Sequence, residues 1–144
     1  MTDLHHKIIL NNNVEYVFDK LFSHPEYREW SSAFKLGYDY EGVLQQGEEL
    51  FFRDKMKNGM ICLVSDYQIN KSIEFTHLTA ITDGERFNHQ PGNFERYTFT
   101  NLSDELMMLD IHLRLPGDWA EMMTPMWEDA VSIIIELFDN DYLL

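Results

Sequence analysis

The sequence predicts an α+β fold in which a curved antiparallel sheet of about seven strands wraps around one long carboxy-terminal helix. Three observations carry this. Residues Asp118 to Asp139 repeat apolar side chains at helical spacing over well over half the circumference, more than a helix resting on a flat surface needs. From Phe34 to Leu115 the period shifts to two, with hairpin punctuation between the runs. The links between those runs are short, which makes successive strands antiparallel neighbours in a meander.

Leu4 to Asn11 alternates Leu4, His6, Ile8 and Leu10 with His5, Lys7 and Ile9, the pattern of a half-buried strand. Asn12 with Glu15 then reads as a helix cap, and Val14, Val17, Phe18, Leu21 and Phe22 recur at helical spacing. Ser23-His24-Pro25 interrupts that helix, and Pro25 opens a second short one with Tyr27 and Trp30 on its apolar side, ending near Ser32. The strands that follow are Leu36 to Leu44, Glu48 to Lys55, Met60 to Gln68, Ser72 to Ile81, Phe94 to Asn101 and Glu105 to Leu115. In the last of these, Met107, Leu109, Ile111, Leu113 and Leu115 share one face, opposite Met108, Asp110, His112 and Arg114. Pro116-Gly117 ends the sheet.

In the terminal helix, advancing about 100° per residue from Trp127 brings Ala130, Val131, Ile134 and Phe138 close to one line. Met126, Ile133, Ile135 and Leu137 flank it, and Glu128, Asp129, Ser132, Glu136 and Asp139 take the opposite arc. Two capping patterns compete for its start, Asp118 with Glu121 and Thr124 followed by Pro125. The reading is a short turn from Asp118 that bends near Pro125 into the main helix, whose start lies as late as Thr124.

The chain of 144 residues is the size of one ordinary domain. Its 25 acidic residues against 11 basic ones give a formal charge of -14, which repels phosphate backbones and anionic membrane surfaces and argues against nucleic-acid binding. The one basic cluster, Arg53, Lys55 and Lys57, reads as a solvated hairpin tip. Cys62 is alone, so neither a disulfide framework nor a thiolate metal site is expected, and the six histidines lack metal-site spacing. No apolar run approaches a membrane span or a signal peptide, so the expected location is cytoplasmic. Catalytic and nucleotide-binding motifs are absent, and no metal or cofactor is expected. Oligomeric state is not readable, and a homodimer is compatible with the sequence.

The passages NNNVEYVFDKLFSHPEYREW and PMWEDAVSIIIELF, in this element order, resemble the START-like superfamily, also called SRPBCC, of helix-grip, polyketide cyclase and lipid-transfer proteins. Within it the chain looks most like the bacterial branch similar to activators of the heat-shock-protein ATPase. The resemblance covers nearly the whole chain. It implies a cavity between the terminal helix and the sheet that takes a hydrophobic ligand, and cyclisation or dehydration in some members. It carries over no catalytic set.

The residues expected to line that cavity are Phe75, His77, Tyr97 and Phe99 from the sheet and Met123, Trp127, Val131 and Ile134 from the helix. In SIEFTHLTAIT, the residues Ile73, Phe75, His77, Thr79 and Ile81 share the inner face, which puts a titratable ring in an apolar wall. His77 is either a general acid or base, a holder of a polar ligand group, or a core histidine satisfied by a neighbour, with Tyr97 its best partner. Glu95 shares the Tyr97 face near the strand's start and is either a rim carboxylate or an acid-base partner for His77. Arg96 and His112 are expected on the outside. The segment Thr82 to Asn93, with Phe87 and His89, is either a lid over the mouth or an extension of the flanking strands. Three functions follow. The leading one is binding of a small hydrophobic or aromatic molecule. The alternatives are a cyclase or dehydratase using His77 with Tyr97 or Glu95, and a protein-partner module of chaperone-regulator type, which needs an exposed apolar patch of several hundred Å².

Overall fold

A computed structural model of the chain describes residues 1–88 and 92–142. The order is β1 (Thr2–Leu10), α1 (Val14–Lys20), α2 (His24–Ser31), β2 (Asp39–Glu41), β3 (Glu49–Arg53), β4 (Gly59–Gln68), β5 (Ser72–Thr82), β6 (Glu85–Asn88), β7 (Phe94–Ser103), β8 (Leu106–Leu115) and α3 (Gly117–Phe138). The eight strands form one antiparallel sheet in the order β1-β8-β7-β5-β4-β3-β2, with β6 paired to β5. The meander is as expected, and β1 closes it by pairing with β8 from Thr2↔Leu115 to Leu10↔Met107. All five apolar residues on the inner face of β8 are buried.

Several boundaries differ from the sequence reading. The strand expected from Leu36 to Leu44 shrinks to Asp39–Glu41, because Gly37 and Gly42 break the alternating run at φ of +85 and +115. A Cβ on Gly42 would stand 2.9 Å from the Glu49 carbonyl oxygen, so the sharp turn into β3 needs this residue bare. The first helix is capped by Asn13, whose Oδ1 accepts the Tyr16 N–H at 2.8 Å. Asn12, expected in that role, is buried and donates instead to the Phe138 carbonyl at 2.9 Å, satisfying an orphan acceptor at the end of α3. Asn11 donates to Asp139 Oδ1 at 2.9 Å, and the Asn140 N–H donates to the Asn11 carbonyl. The asparagine run thus ties the end of β1 to the end of α3.

That tie fits the lengths: nine extended residues of β1 span about 30 Å, and 22 helical residues of α3 span about 33 Å. Helix α3 is one continuous helix from Gly117, with Pro116 at its N-cap, Asp118 inside its first turn and no break at Pro125. The missing N–H of Pro125 leaves the Glu121 carbonyl without its helical donor, but both residues lie on the wet side. The Thr124 hydroxyl bonds back to the Ala120 carbonyl at 2.7 Å, one turn earlier.

The core is filled by the two short helices as much as by α3. Phe22 stands edge-on to Phe75 and Tyr97, with ring centroids 5.3 and 4.9 Å away, and Phe18 packs against Phe99 at 5.0 Å. Trp30 joins Phe22, Tyr27 and Trp127. On α3, Ala120, Trp127, Ala130, Ile134 and Phe138 are buried, one line of side chains as the helical spacing requires. Ile134→Ala is expected to lower the free energy of unfolding by about 2 to 5 kcal/mol through the void it leaves. Urea denaturation checks this, and a loss below about 1 kcal/mol would mean that this face does not meet the core.

Candidate functional site

The sheet changes partner at His77. Strand β5 pairs with β7 through Thr76 and with β6 from Thr79 onward. Between Cys62↔His77 and Ile61↔Thr79 its register against β4 slips by one residue, placing a bulge at Leu78. The strict alternation expected through Ile81 therefore stops at His77. Beyond the bulge Ala80, Ile81 and Thr82 all border the inner space, while the Thr79 hydroxyl faces Asn88 at 3.5 Å. The β5–β6 hairpin turns at Asp83 and Gly84, both with positive φ, a pattern that suits the twist of a two-residue hairpin loop. The start of the long Thr82 to Asn93 segment is thus a strand extension. Phe87 is 53% exposed on β6 and does not border the cavity, and His89 lies outside the described residues.

This flared end of the sheet faces the first half of α3 across a cavity of about 360 Å³. Trp119, Met122, Met123, Met126 and Trp127 form one wall, and Met60, Ala80 and Ile81 the opposite one. Tyr27, Phe34, Tyr38 and Phe52 close the side. The wall is apolar and adaptable, since unbranched methionines re-pack easily around different shapes. Of the eight residues expected to line a cavity, His77, Met123 and Trp127 do so. Phe75, Tyr97, Phe99 and Ile134 are packed in the solid core, and Val131 is half-buried against it; Phe18 of α1 and Phe22 between the two short helices occupy the space in front of Phe75, Tyr97 and Phe99.

One polar cluster reaches the floor. Glu95 borders the cavity with its side chain 15% exposed. Its Oε2 lies 3.0 Å from His77 Nε2, and its Oε1 accepts the Tyr97 hydroxyl at 2.8 Å. Glu95, not Tyr97, is thus the group His77 meets, and the carboxylate holds both rings. Burial pushes the Tyr97 phenol well up, with the Glu95 charge adding to it, so the hydroxyl stays a donor. Burial and the same charge act on Tyr38 and Cys62; the buried thiol is thereby kept protonated and unreactive.

At the mouth, Lys35 pairs with Asp54 at 3.0 Å, and Asp54 Oδ1 accepts the N–H groups of Met56 and Asn58, organising the β3–β4 turn. Burial alone would raise Asp54, but the Asn58 N–H, Lys35 and the Met56 N–H outweigh it and hold the carboxyl below the usual range. A depressed folded value means that this stabilisation is complete above the unfolded pKa of about 3.9 and is lost as pH falls through the folded one. In acid titrations of unfolding free energy, Asp54→Asn should therefore flatten the decline below about pH 4; parallel curves would contradict it.

Asp54, Tyr38, Met60 and Met122 were not singled out in the sequence. The spacing Met122, Met123, Met126 at the head of an amphipathic helix was the available signal. Arg96 is on the outside, paired with Glu74 at 2.6 Å, and His112 stacks on His5 with centroids 4.1 Å apart and meets Asp3 at 2.8 Å. Arg53 and Lys57 both pair with Glu41. Among the described residues no group of three or more His, Cys, Asp or Glu has a metal-holding arrangement, and no helix is long and apolar enough to cross a membrane.

No family model matches the sequence, and no curated protein matches it. Solved structures do. The Aha1 dimer from Colwellia psychrerythraea superposes with a TM-score of 0.71 at 13% identity, covering 99% of each chain. Protein MLL2253 from Mesorhizobium loti gives 0.71 at 15% identity over 94% of this chain and 96% of its own. DynU16, encoded in the dynemicin biosynthetic locus, gives 0.69 at 12% identity over 93% of this chain, which spans 46% of that protein. At these TM-scores the chain shares its overall fold with these structures, and that fold is α+β helix-grip, an antiparallel sheet with a long carboxy-terminal helix laid across it.

Proposed function

We propose that the protein binds a small hydrophobic or aromatic molecule in the cavity between the first half of α3 and the flared end of the sheet. The observation that carries this reading is an apolar space of about 360 Å³ with a polar cluster on its floor, beside a solidly packed aromatic core. A concave apolar space of this size with a few convergent polar groups has the character of a small-molecule site. The test is calorimetric titration of the full chain with 2-naphthylmethanol, an uncharged two-ring probe. One saturable site is expected, lost in Ala80→Phe, which pushes a ring into the cavity from the sheet. Absence of binding to the wild type by this probe and by its amine and carboxylate counterparts alike would end this reading.

A second reading is proton transfer by His77 and Glu95, favoured by their 3.0 Å contact at the cavity floor. Dehydration or cyclisation of a bound molecule would then disappear in His77→Gln while binding persists. Loss of binding and turnover together would assign His77 to the architecture of the floor instead.

A further inference from the structure

Among the described residues, four charged or titratable groups border the cavity besides its phenols, and they make two close contacts. Lys35 is held by Asp54 at 3.0 Å, and His77 meets Glu95 at 3.0 Å. Among the described residues no arginine borders the space. A protonated His77 would at most balance the Glu95 carboxylate, and the Lys35 ammonium is matched by Asp54. These four groups together therefore offer no net positive charge to a carboxylate or phosphate head.

It offers much to a cation. An ionised carboxyl has about four acceptor positions. Two on Glu95 are taken by His77 and Tyr97, which leaves others for a donor arriving from the cavity. Phe34, Tyr38, Trp119 and Trp127 border the same space, and aromatic rings attract ammonium groups within about 6 Å of their faces. The volume sets the size of the body: an apolar cavity of about 150 Å³ suffices for benzene, so 360 Å³ suits about two rings.

Resting on the binding reading above, we infer that the ligand is an aromatic amine of about two rings, its protonated amine directed at Glu95 between aromatic faces. The alternative heads, an uncharged hydroxyl and a carboxylate, are distinguishable by experiment. The full chain is titrated calorimetrically with 2-naphthylmethylamine, 2-naphthylmethanol and 2-naphthoate at high salt, which screens the acidic surface but not the buried site. The amine is expected to bind at least about tenfold tighter than the alcohol, and the alcohol tighter than 2-naphthoate. Glu95→Gln should bring amine and alcohol together. If that variant does not fold, Asp54→Asn serves instead: it releases Lys35 and should shrink the amine's lead over 2-naphthoate. Equal binding of amine and alcohol by the wild type, tighter binding of 2-naphthoate, or an unchanged lead in Asp54→Asn would overturn the inference and leave the binding reading intact. Failure of all three probes would instead overturn the binding reading itself.

Discussion

Trp30→Ala is expected to lower the free energy of unfolding by about 3 to 5 kcal/mol. The side chain is 1% exposed and its ring contacts those of Phe22, Tyr27, Phe34 and Trp127, so it joins α2 to α1, to the following loop and to α3 at once. Its Nε1 donates to the Leu21 carbonyl at 2.8 Å, which fixes the junction between the two short helices. Truncation removes the ring contacts and leaves that buried carbonyl without its donor, two losses that act together. Trp30→Phe separates them, because it restores most of the packing and none of the hydrogen bond, and should cost about 1 to 3 kcal/mol. Urea denaturation of both variants is the check. A loss under about 2 kcal/mol for the alanine variant would show that the α1–α2 junction is held elsewhere.

Glu95→Ala is expected to cost about 3 kcal/mol, because it removes the acceptor of two buried contacts at once and a stranded buried polar group costs about 1 to 3 kcal/mol. The deletion strands the Tyr97 hydroxyl, which is 1% exposed, and removes the acceptor beside His77. Glu95→Gln keeps the shape, offering a carbonyl to the Tyr97 hydroxyl and an amide donor to the His77 ring, and should lose less than half as much. Thermal or urea unfolding of the pair distinguishes a structural carboxylate from a rim one. Equal and small losses would mean that water takes over both contacts.

What the sequence made legible was whatever depends on near neighbours. The β8 alternation from Met107 to Leu115 and the α3 line from Trp127 to Phe138 are local periods, and both face the core as their spacing requires. His77 on an inner face with Phe75 was legible for the same reason. What was not legible depends on distant pairings. The contact of His77 with Glu95, one of the two alternatives read for that carboxylate, is decided by the β5–β7 register Phe75↔Glu95, which no residue of either strand announces. The bulge at Leu78 is equally silent in SIEFTHLTAIT, yet it decides that Ala80 and Thr82 border the cavity. Phe75, Tyr97 and Phe99 were expected around a ligand because their faces were right. Their distance from the cavity is set by Phe18 and Phe22, which arrive from the other end of the chain.

The missing amide of Pro125 divides α3 into two stretches held in different ways. Ahead of it lie Trp119, Met122 and Met123, one side of the cavity; behind it the helix is anchored by Ala130, Ile134, Phe138 and the asparagine tie. Opening costs what it breaks, and the forward turns have one helical bond fewer to break. Amide hydrogen exchange should therefore run faster ahead of Pro125 than behind it, and equal protection on the two sides would contradict this.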